Sequence, residues 1–218
     1  MSRVAASYIK RVEQALEAAN TGTTKLTDAE FALEGMSSKR NRILLNELVK
    51  SGDKYLEIGV FKGSTFVAAL YKNNPAYAVA IDNFSQFDPQ GVNSNTFKRV
   101  TTERGITDIT LLNADCFNLP ENLQEYVLNR KFNVYFYDGG HTEQDQYRAL
   151  FYYYMTLANE FIFIVDDWNY EPARSGTYKA LGDLGIKVHK EWDLRSERNG
   201  DVATWWNGIY IAVCEKTQ

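Results

Sequence analysis

The first fifty residues place apolar side chains at the spacing of amphipathic helices. In residues 3–19, apolar positions recur at helical intervals, which predicts one helix. A threonine-rich loop follows, and a short second helix is predicted up to Leu33. Residues 37–52 predict a third helix, because a serine can cap its beginning and a glycine follows its end. The chain is therefore predicted to begin with helices, before any strand.

From Tyr55 onward, short apolar runs alternate with amphipathic stretches. The runs predict strands over residues 55–60, 77–84, 109–115, 132–140 and 161–168. The stretches after them predict helices over residues 64–73, 94–105, 119–130, 144–158 and 174–185. Near-continuous apolar strands that are each followed by a helix are typical of a parallel sheet covered on both faces. Right-handed crossovers make such a sheet a doubly wound α/β fold.

The end of the chain breaks this alternation. Residues 186–194 and 207–216 predict two further strands with no helix between them, and so short a connection requires an antiparallel pair. The prediction is a Rossmann-like, seven-stranded, mostly parallel sheet with a C-terminal antiparallel hairpin and extra N-terminal helices. We expect residues 1–36 to form a helical cap over the ligand, with residues 36–38 close to it, and residues 37–218 to form the domain that carries the site.

Composition excludes some classes of function. The 218 residues suit one domain, and a net charge of −4 argues against nucleic-acid binding, which needs a basic face. The local basic cluster of Lys39, Arg40 and Arg42 is interpreted as the solvated face of a helix.

The two cysteines, Cys116 and Cys214, lie far apart and predict neither a zinc cluster nor a disulfide. No signal peptide and no membrane-length apolar segment is predicted, so we expect a cytoplasmic protein.

The turn after the first predicted strand, in LEIGVFKGST, is the first candidate ligand site. A phosphate-binding loop needs a lysine and a hydroxyl residue after its last glycine, but Ser64 follows Gly63 directly. A dinucleotide site needs further glycines two and five residues after Gly59, where the chain has Phe61 and Ser64. Because a phenylalanine side chain hinders close approach of a pyrophosphate, a nicotinamide-dependent oxidoreductase is the less favoured alternative.

Acidic residues complete the pattern of a nucleoside site. Asp82 ends the second predicted strand, at the offset expected of a carboxylate that binds a ribose. Glu57 lies in the first strand, where its charge would favour a cationic ligand. The sequence therefore indicates a ligand with a nucleoside, no pyrophosphate and a cationic part.

The series Glu57-x-Gly59-x-x-x-Gly63 resembles the first motif of class I S-adenosylmethionine-dependent methyltransferases. In that family an acidic residue matched by Asp82 holds the ribose, the residue after it lies along the adenine, and an acidic residue matched by Asp115 lies near the adenine amino group. The resemblance implies S-adenosylmethionine as cofactor. It implies as its binding residues Glu57, Gly59, Phe61, Gly63, Ser64, Thr65, Asp82, Asn83, Phe84, Asp115, Cys116 and Asp138.

A second acidic group ends the fourth and fifth predicted strands. Asp138, Asp166 and Asp167 are expected to converge, and clustered carboxylates repel one another unless they bind a cation or share a proton. DGGHTEQDQY resembles a segment of methyltransferase domain 24, and DDW resembles the acidic pair of macrocin-type sugar O-methyltransferases. The resemblance implies that these three aspartates hold Mg²⁺, which suits oxygen ligands. The chain departs from the sugar enzymes at Gly140, where they carry a second acidic residue.

His141 is predicted to be the general base, because its ordinary pKa near neutrality suits proton removal from a hydroxyl. With Asp138 it forms the predicted catalytic pair, whereas His189 is interpreted as structural.

The expected reaction is methyl transfer to a hydroxyl of a small molecule such as a sugar, phenol or polyketide. A non-catalytic module that binds S-adenosylmethionine is the other alternative. Three interpretations stay open for four aromatic residues, namely an acceptor pocket, the subunit interface of a homo-oligomer or ordinary core packing: Trp168, Tyr170, Trp205 and Trp206.

Overall fold

Seven strands form one sheet in residues 1–217, the part of the chain that the computed structural model describes. The strands are β1 (Lys54–Ile58), β2 (Tyr77–Ile81), β3 (Thr110–Leu112), β4 (Phe132–Tyr137), β5 (Leu157–Asp166), β6 (Ile186–Leu194) and β7 (Ile209–Lys216). Their order across the sheet is β3-β2-β1-β4-β5-β7-β6. The first five strands are parallel, and β7 is antiparallel to both β5 and β6. This confirms the predicted seven-stranded sheet with its closing hairpin.

Eight α-helices accompany the sheet in the described residues. They are α1 (Arg3–Thr21), α2 (Asp28–Phe31), α3 (Lys39–Leu48), α4 (Ser64–Leu70), α5 (Asn93–Glu103), α6 (Glu121–Leu128), α7 (Glu143–Tyr153) and α8 (Glu171–Asp183). Polar caps fix several of their beginnings: the side chains of Ser38 and Thr142 each accept a backbone N–H bond from the first turn of the helix that follows. No helix in residues 1–217 combines the length and the apolar character that crossing a membrane requires.

Alternate residues of the central strands face two different helical layers. In β5, Ile162 and Ile164 pack in one cluster with α1, α3 and α4, whereas Phe161 and Phe163 pack in another with α7 and α8. All four side chains are fully buried. Because strand side chains point to opposite faces in turn, this pattern is what a sheet covered on both sides requires.

The N-terminal helix α1 lies against the sheet rather than over a ligand. Its buried side chains, among them Val12 and Ala15, join the cluster that contains α3, and α1 also contacts β5 and β7. The guanidinium of Arg11 pairs with the buried Asp53 carboxylate at 2.8 Å, which fastens the helix to the residue before β1. Among residues 1–36, Met36 is the one that lines the cavity described below, and the helical cap over the ligand stays a prediction.

The interpretation of Arg42 as part of a solvated face is wrong. Its side chain is buried, with 4% of its surface exposed. The guanidinium donates hydrogen bonds of 3.0 to 3.1 Å to the carbonyl oxygens of Glu30, Phe31 and Leu33. These carbonyls lie at the end of the short helix α2 and just after it, where carbonyl groups have few partners within a helix, so the buried cation helps to satisfy them.

The boundary between α7 and β5 also differs from the prediction. The helix was expected to run through residue 158, but it ends at Tyr153, and β5 begins at Leu157 rather than at residue 161. A single 3₁₀ turn, Tyr154–Thr156, separates the two elements. The Thr156 hydroxyl donates to the Tyr153 carbonyl oxygen at 2.7 Å. A continuous apolar run fits either a helix or a buried strand, so periodicity could not place this boundary.

Candidate functional site

A cavity of about 540 Å³ opens beyond the carboxyl ends of β1, β2, β4 and β5. It lies where the strand order reverses between β1 and β4, the position at which open α/β sheets bind their ligands. Its volume falls within the range of small-molecule sites. The strand ends that were predicted to form the site therefore border a single cavity.

Ten of the predicted site residues line this cavity: Gly59, Phe61, Asp82, Asn83, Asp115, Cys116, Asp138, His141, Asp166 and Asp167. The other five predicted residues do not line it: Glu57, Gly63, Ser64, Thr65 and Phe84. Most of these five belong to the face of β1 and the start of α4, which pack against each other behind the loop.

Gly59 brings the end of β1 against the end of β4. Its backbone has a φ of +85°, and a Cβ at this position would overlap the Asp138 carbonyl oxygen. The Asp138 N–H in turn donates to the Ile58 carbonyl oxygen at 2.8 Å. Only glycine combines this conformation with so close an approach. The first glycine of the motif therefore joins the two halves of the cavity.

Glu57 supports the loop from behind instead of lining the cavity. Its carboxylate is fully buried and accepts two hydrogen bonds of 2.5 Å, from the Tyr55 hydroxyl and the Thr65 hydroxyl. Burial raises the pKa of Glu57 to about 7, although the two hydroxyl donors oppose that shift. The Glu57 side chain packs against α4 on that face of β1. It therefore does not reach the cavity.

Asp82 ties the glycine loop to the end of β2. One oxygen accepts the Phe61 N–H and the other accepts the Phe84 N–H, each at 2.7 Å. Burial raises the pKa of Asp82, and the backbone donors counteract the rise. Each carboxylate oxygen keeps a second lone pair, so Asp82 can still accept hydrogen bonds from hydroxyl groups in the cavity.

Asp115 and Cys116 form the wall after β3. An Asp115 oxygen accepts the Phe117 N–H at 2.8 Å, and the Cys116 carbonyl oxygen accepts the Tyr153 hydroxyl at 2.6 Å. Burial raises the pKa of the Cys116 thiol to about 12, so this cysteine is not a nucleophile. The Arg148 guanidinium lies 4.2 Å from the Phe117 ring centre, and both side chains line the cavity.

The structure brings the three predicted metal ligands together. Asp138, Asp166 and Asp167 each offer an oxygen within 4.8 Å of the others. Burial raises the pKa of Asp138 and of Asp166 well above the usual range, and the neighbouring carboxylates raise both further. One Asp166 oxygen, Oδ1, is buried and has no hydrogen-bond partner in the described residues. An orphaned carboxylate oxygen in an all-oxygen cluster fits a hard cation such as Mg²⁺.

His141 pairs with Asp167 at the mouth of the cavity. Its Nδ1 lies 3.0 Å from Asp167 Oδ2, and 46% of its side chain is exposed. The hydrogen bond to Asp167 raises the pKa of His141, and burial opposes that rise. The imidazole ring is nearly parallel to the Tyr170 ring, with centres 6.3 Å apart. This geometry leaves the second ring nitrogen, Nε2, free to accept a proton.

The aromatic residues left open by the sequence separate into two groups. Trp168 and Trp205 are buried in the core, and Trp168 stacks on Tyr210 at 4.2 Å. Tyr170 and Trp206 line the cavity. Only the second pair is therefore placed to contact a ligand in the cavity.

Sequence reasoning missed Phe87, Phe117, Arg148 and Asn207, all of which line the cavity. Two of them follow β2 and β3, Arg148 lies on α7, and Asn207 lies on the connection between β6 and β7. None belongs to a motif, and their convergence depends on how distant segments meet in the fold. Local pattern gave no signal for them.

The comparison with families now identifies the chain. The model of methyltransferase domain 24, described as a methyltransferase domain, matches residues 56–168, which is just over half of the chain. The chain belongs to this family, so the predicted resemblance to class I methyltransferases is confirmed. No curated protein sequence matches it.

Solved structures share the fold at low sequence identity. A candidate tRNA (m1A22) methyltransferase of Streptococcus pneumoniae, in complex with S-adenosyl-L-methionine, is 16% identical with a TM-score of 0.57, over 84% of this chain and 74% of that one. TYW2 of M. jannaschii, in complex with AdoMet, is 10% identical with a TM-score of 0.59, over 90% and 80%. An O-methyltransferase of Bacillus cereus, in complex with SAH, is 13% identical with a TM-score of 0.55, over 96% and 91%. Identities this low establish the fold alone.

Proposed function

We propose that the protein transfers a methyl group from S-adenosylmethionine to a hydroxyl of a small molecule. The observation that carries the proposal is one continuous cavity with nucleoside-binding groups at one end and a His141–Asp167 pair beside an acidic cluster at the other. The cofactors named for the neighbouring structures, S-adenosylmethionine in two and SAH in a third, support the choice of ligand.

The charge of the cavity favours a cationic cofactor. Six aspartates line it, and Arg148 is the single lysine or arginine among the described lining residues. A sulfonium ion reduces the repulsion among these carboxylates. Asp82 accepts the ribose hydroxyls, and Asn83 and Asp115 lie on the adenine side. Gly59 lines the cavity, so the cofactor can lie against the backbone of the loop.

The chain's own residues then position the acceptor and remove its proton. The acceptor oxygen attacks the methyl carbon in line, the carbon–sulfur bond breaks, and its electron pair stays on sulfur. The hydroxyl proton passes to Nε2 of His141, while Asp167 stabilises the imidazolium that forms. Since a sulfonium is already an activated methyl donor, much of the acceleration comes from orientation.

Asp138, Asp166 and Asp167 would hold Mg²⁺ in the same half of the cavity. The unpartnered Asp166 oxygen and the oxygen-only donor set support this assignment. When bound, the ion supplies a Lewis acid that lowers the pKa of an acceptor hydroxyl.

The acceptor is a small, uncharged molecule rather than a nucleic acid. An anionic acceptor would add repulsion to a cavity lined by six aspartates. Met36, Phe87, Tyr170 and Trp206 provide an apolar and aromatic border on which a ring can pack. We also propose that the protein works in the cytoplasm, which the two free thiols, Cys116 and Cys214, support.

Calorimetry with S-adenosylmethionine tests the first half of this proposal. Wild-type protein is expected to bind the cofactor, and Asp82→Asn is expected to bind it about tenfold more weakly or worse, because a charged acceptor of hydrogen bonds is lost. Asp108→Asn, the same change at an exposed position, is the matched control and should bind as wild type. NAD should give no heat, because Phe61 obstructs a pyrophosphate. A wild-type protein that binds NAD but not S-adenosylmethionine would exclude the proposal.

Transfer of a labelled methyl group tests the second half. Sugars, phenols and polyketides serve as acceptors, with and without a chelator. Turnover by wild type and its loss in His141→Gln, with cofactor binding retained, are expected. A protein that binds the cofactor but methylates no acceptor would be the non-catalytic module instead. Removal of Mg²⁺ should lower turnover without weakening cofactor binding, because the acidic cluster lies in the acceptor half.

A further inference from the structure

Asn207 reaches the centre of the site from a distant part of the chain. It lies on the connection between β6 and β7, forty residues after Asp167. Its side-chain amide donates a hydrogen bond of 2.6 Å to Asp167 Oδ1. The other oxygen of that carboxylate, Oδ2, is the one that meets His141 at 3.0 Å. Three side chains from three different segments therefore form one chain of hydrogen bonds.

Asn207 is itself held on both sides. Its side-chain oxygen accepts the Gly200 N–H at 2.8 Å, and its carbonyl oxygen accepts the Asn169 N–H at 2.7 Å. An N–H donor and a carboxylate require opposite ends of the amide, so these partners fix which way the amide faces. Beside it, a Cβ on Gly208 would lie only 2.7 Å from the Asn169 side-chain oxygen, so the connection packs directly against the segment after β5.

We propose that Asn207 is a positioning residue of the methyl-transfer reaction: through Asp167 it fixes His141 in the tautomer that carries its proton on Nδ1 and leaves Nε2 bare for the substrate proton. The inference rests on the proposed function, because His141 has a catalytic role only there.

The chemistry of the two hydrogen bonds supports this assignment. An ionised carboxylate only accepts, so the imidazole nitrogen that faces Asp167 must carry the hydrogen. Neutral imidazole carries one N–H, and Nε2 is therefore the basic nitrogen. Without Asn207 the Asp167 carboxylate could turn away from His141, and the half-exposed histidine would then lose its fixed hydrogen-bond partner.

The tautomer of His141 can be measured without cofactor or acceptor. The chain contains two histidines, so nitrogen-15 NMR of the rings gives few signals, and His189→Gln assigns them. Spectra are recorded at about pH 9, where a histidine is neutral. The wild-type spectrum is expected to show His141 protonated at Nδ1. Asp167→Asn should move the proton to Nε2, because a side-chain amide can donate to Nδ1.

The Asn207→Ala variant tests the new residue directly. It is expected to give a mixture of tautomers, whereas Asn122→Ala, a change at an exposed asparagine on α6, should keep the wild-type spectrum. Circular dichroism verifies that each variant is folded. A wild-type His141 protonated at Nε2 would overturn the proposal, and so would an Asn207→Ala spectrum identical to that of wild type. If Asn207→Ala does not fold, the wild-type and Asp167→Asn spectra still decide the tautomer.

Kinetics separates this inference from the proposed function. Asn207→Ala is expected to lower kcat for methyl transfer about tenfold or more, with KM for S-adenosylmethionine unchanged. An equal kcat in variant and wild type would refute the positioning role. Absence of cofactor binding by wild-type protein would refute the proposed function, and the NMR result on the tautomer would stand independently of it.

Discussion

Replacement of Glu57 by glutamine is expected to stabilise the folded protein above neutral pH. The Glu57 carboxylate is fully buried between β1 and α4 and accepts bonds from the Tyr55 and Thr65 hydroxyls. A glutamine of the same shape keeps both contacts, because a hydroxyl can accept from the new amide as well as donate to its oxygen. The substitution therefore removes a buried charge with little change in packing.

The pKa of Glu57 gives the size of the effect. Burial raises it from 4.5 to about 7. A carboxyl whose pKa is higher in the folded than in the unfolded state stabilises folding while it is protonated, and that contribution is lost as pH rises from the lower to the higher value. With each pKa unit worth about 1.4 kcal/mol, ionisation of Glu57 costs the folded state about 3 kcal/mol at about pH 8.

Urea denaturation across a range of pH measures this difference. Glu57→Gln and wild type should have similar unfolding free energies at about pH 4, and the variant should be more stable by about 3 kcal/mol at about pH 8. The exposed Glu125→Gln should show no such divergence. The Glu57 charge also raises the pKa of Asp138 and of Asp166, so its removal lowers those pKa values and adds to the stability of the variant at high pH. A stability difference that does not change with pH would refute the argument, as would a variant less stable than wild type at high pH.

Three further predictions concern other parts of the structure. Gly59→Ala should destabilise the protein by more than about 2 kcal/mol in urea, because its Cβ would overlap the Asp138 carbonyl; unchanged stability would contradict the close approach. Arg42→Met should cost about 3 kcal/mol because three carbonyls each lose the guanidinium hydrogen bond, whereas exposed Lys39→Met should cost little; equal effects would contradict its buried role. Mg²⁺ should raise the Tm of wild type but not of Asp166→Asn, and a rise in both would place the ion elsewhere.

Much of the fold could be predicted because its strands carry a strong and repeated signal. Apolar runs such as YLEI and FIFIVDD are buried on both faces, and each is followed by a helix, although α8 begins at Glu171 rather than at the predicted residue 174. The boundary at Leu157 could not be predicted, since the aromatic residues of YYYMTL satisfy a helix and a strand equally well. Arg42 was misinterpreted because its carbonyl partners lie at and just after the end of α2, whose approach to α3 the sequence does not reveal.

The residues of the candidate site could be predicted from the sequence where they lie at the ends of strands. Asp82, Asp138 and Asp167 follow strands directly, and the parallel sheet brings their side chains to one edge. Glu57 was expected in contact with the ligand, but alternation along β1 turns it toward α4. Asn207 could not be found in the same way, because its approach to Asp167 depends on how the β6–β7 connection folds back over the sheet.

The contact of Gly59 with the Asp138 backbone has a consequence for how such an enzyme can change. No side chain separates the two strand ends, so main-chain geometry alone sets the spacing between the β1 side and the β4 side of the cavity. Evolution or engineering can then vary the side chains at the rim around Tyr170 and Trp206, while the spacing of the two strand ends is inherited unchanged.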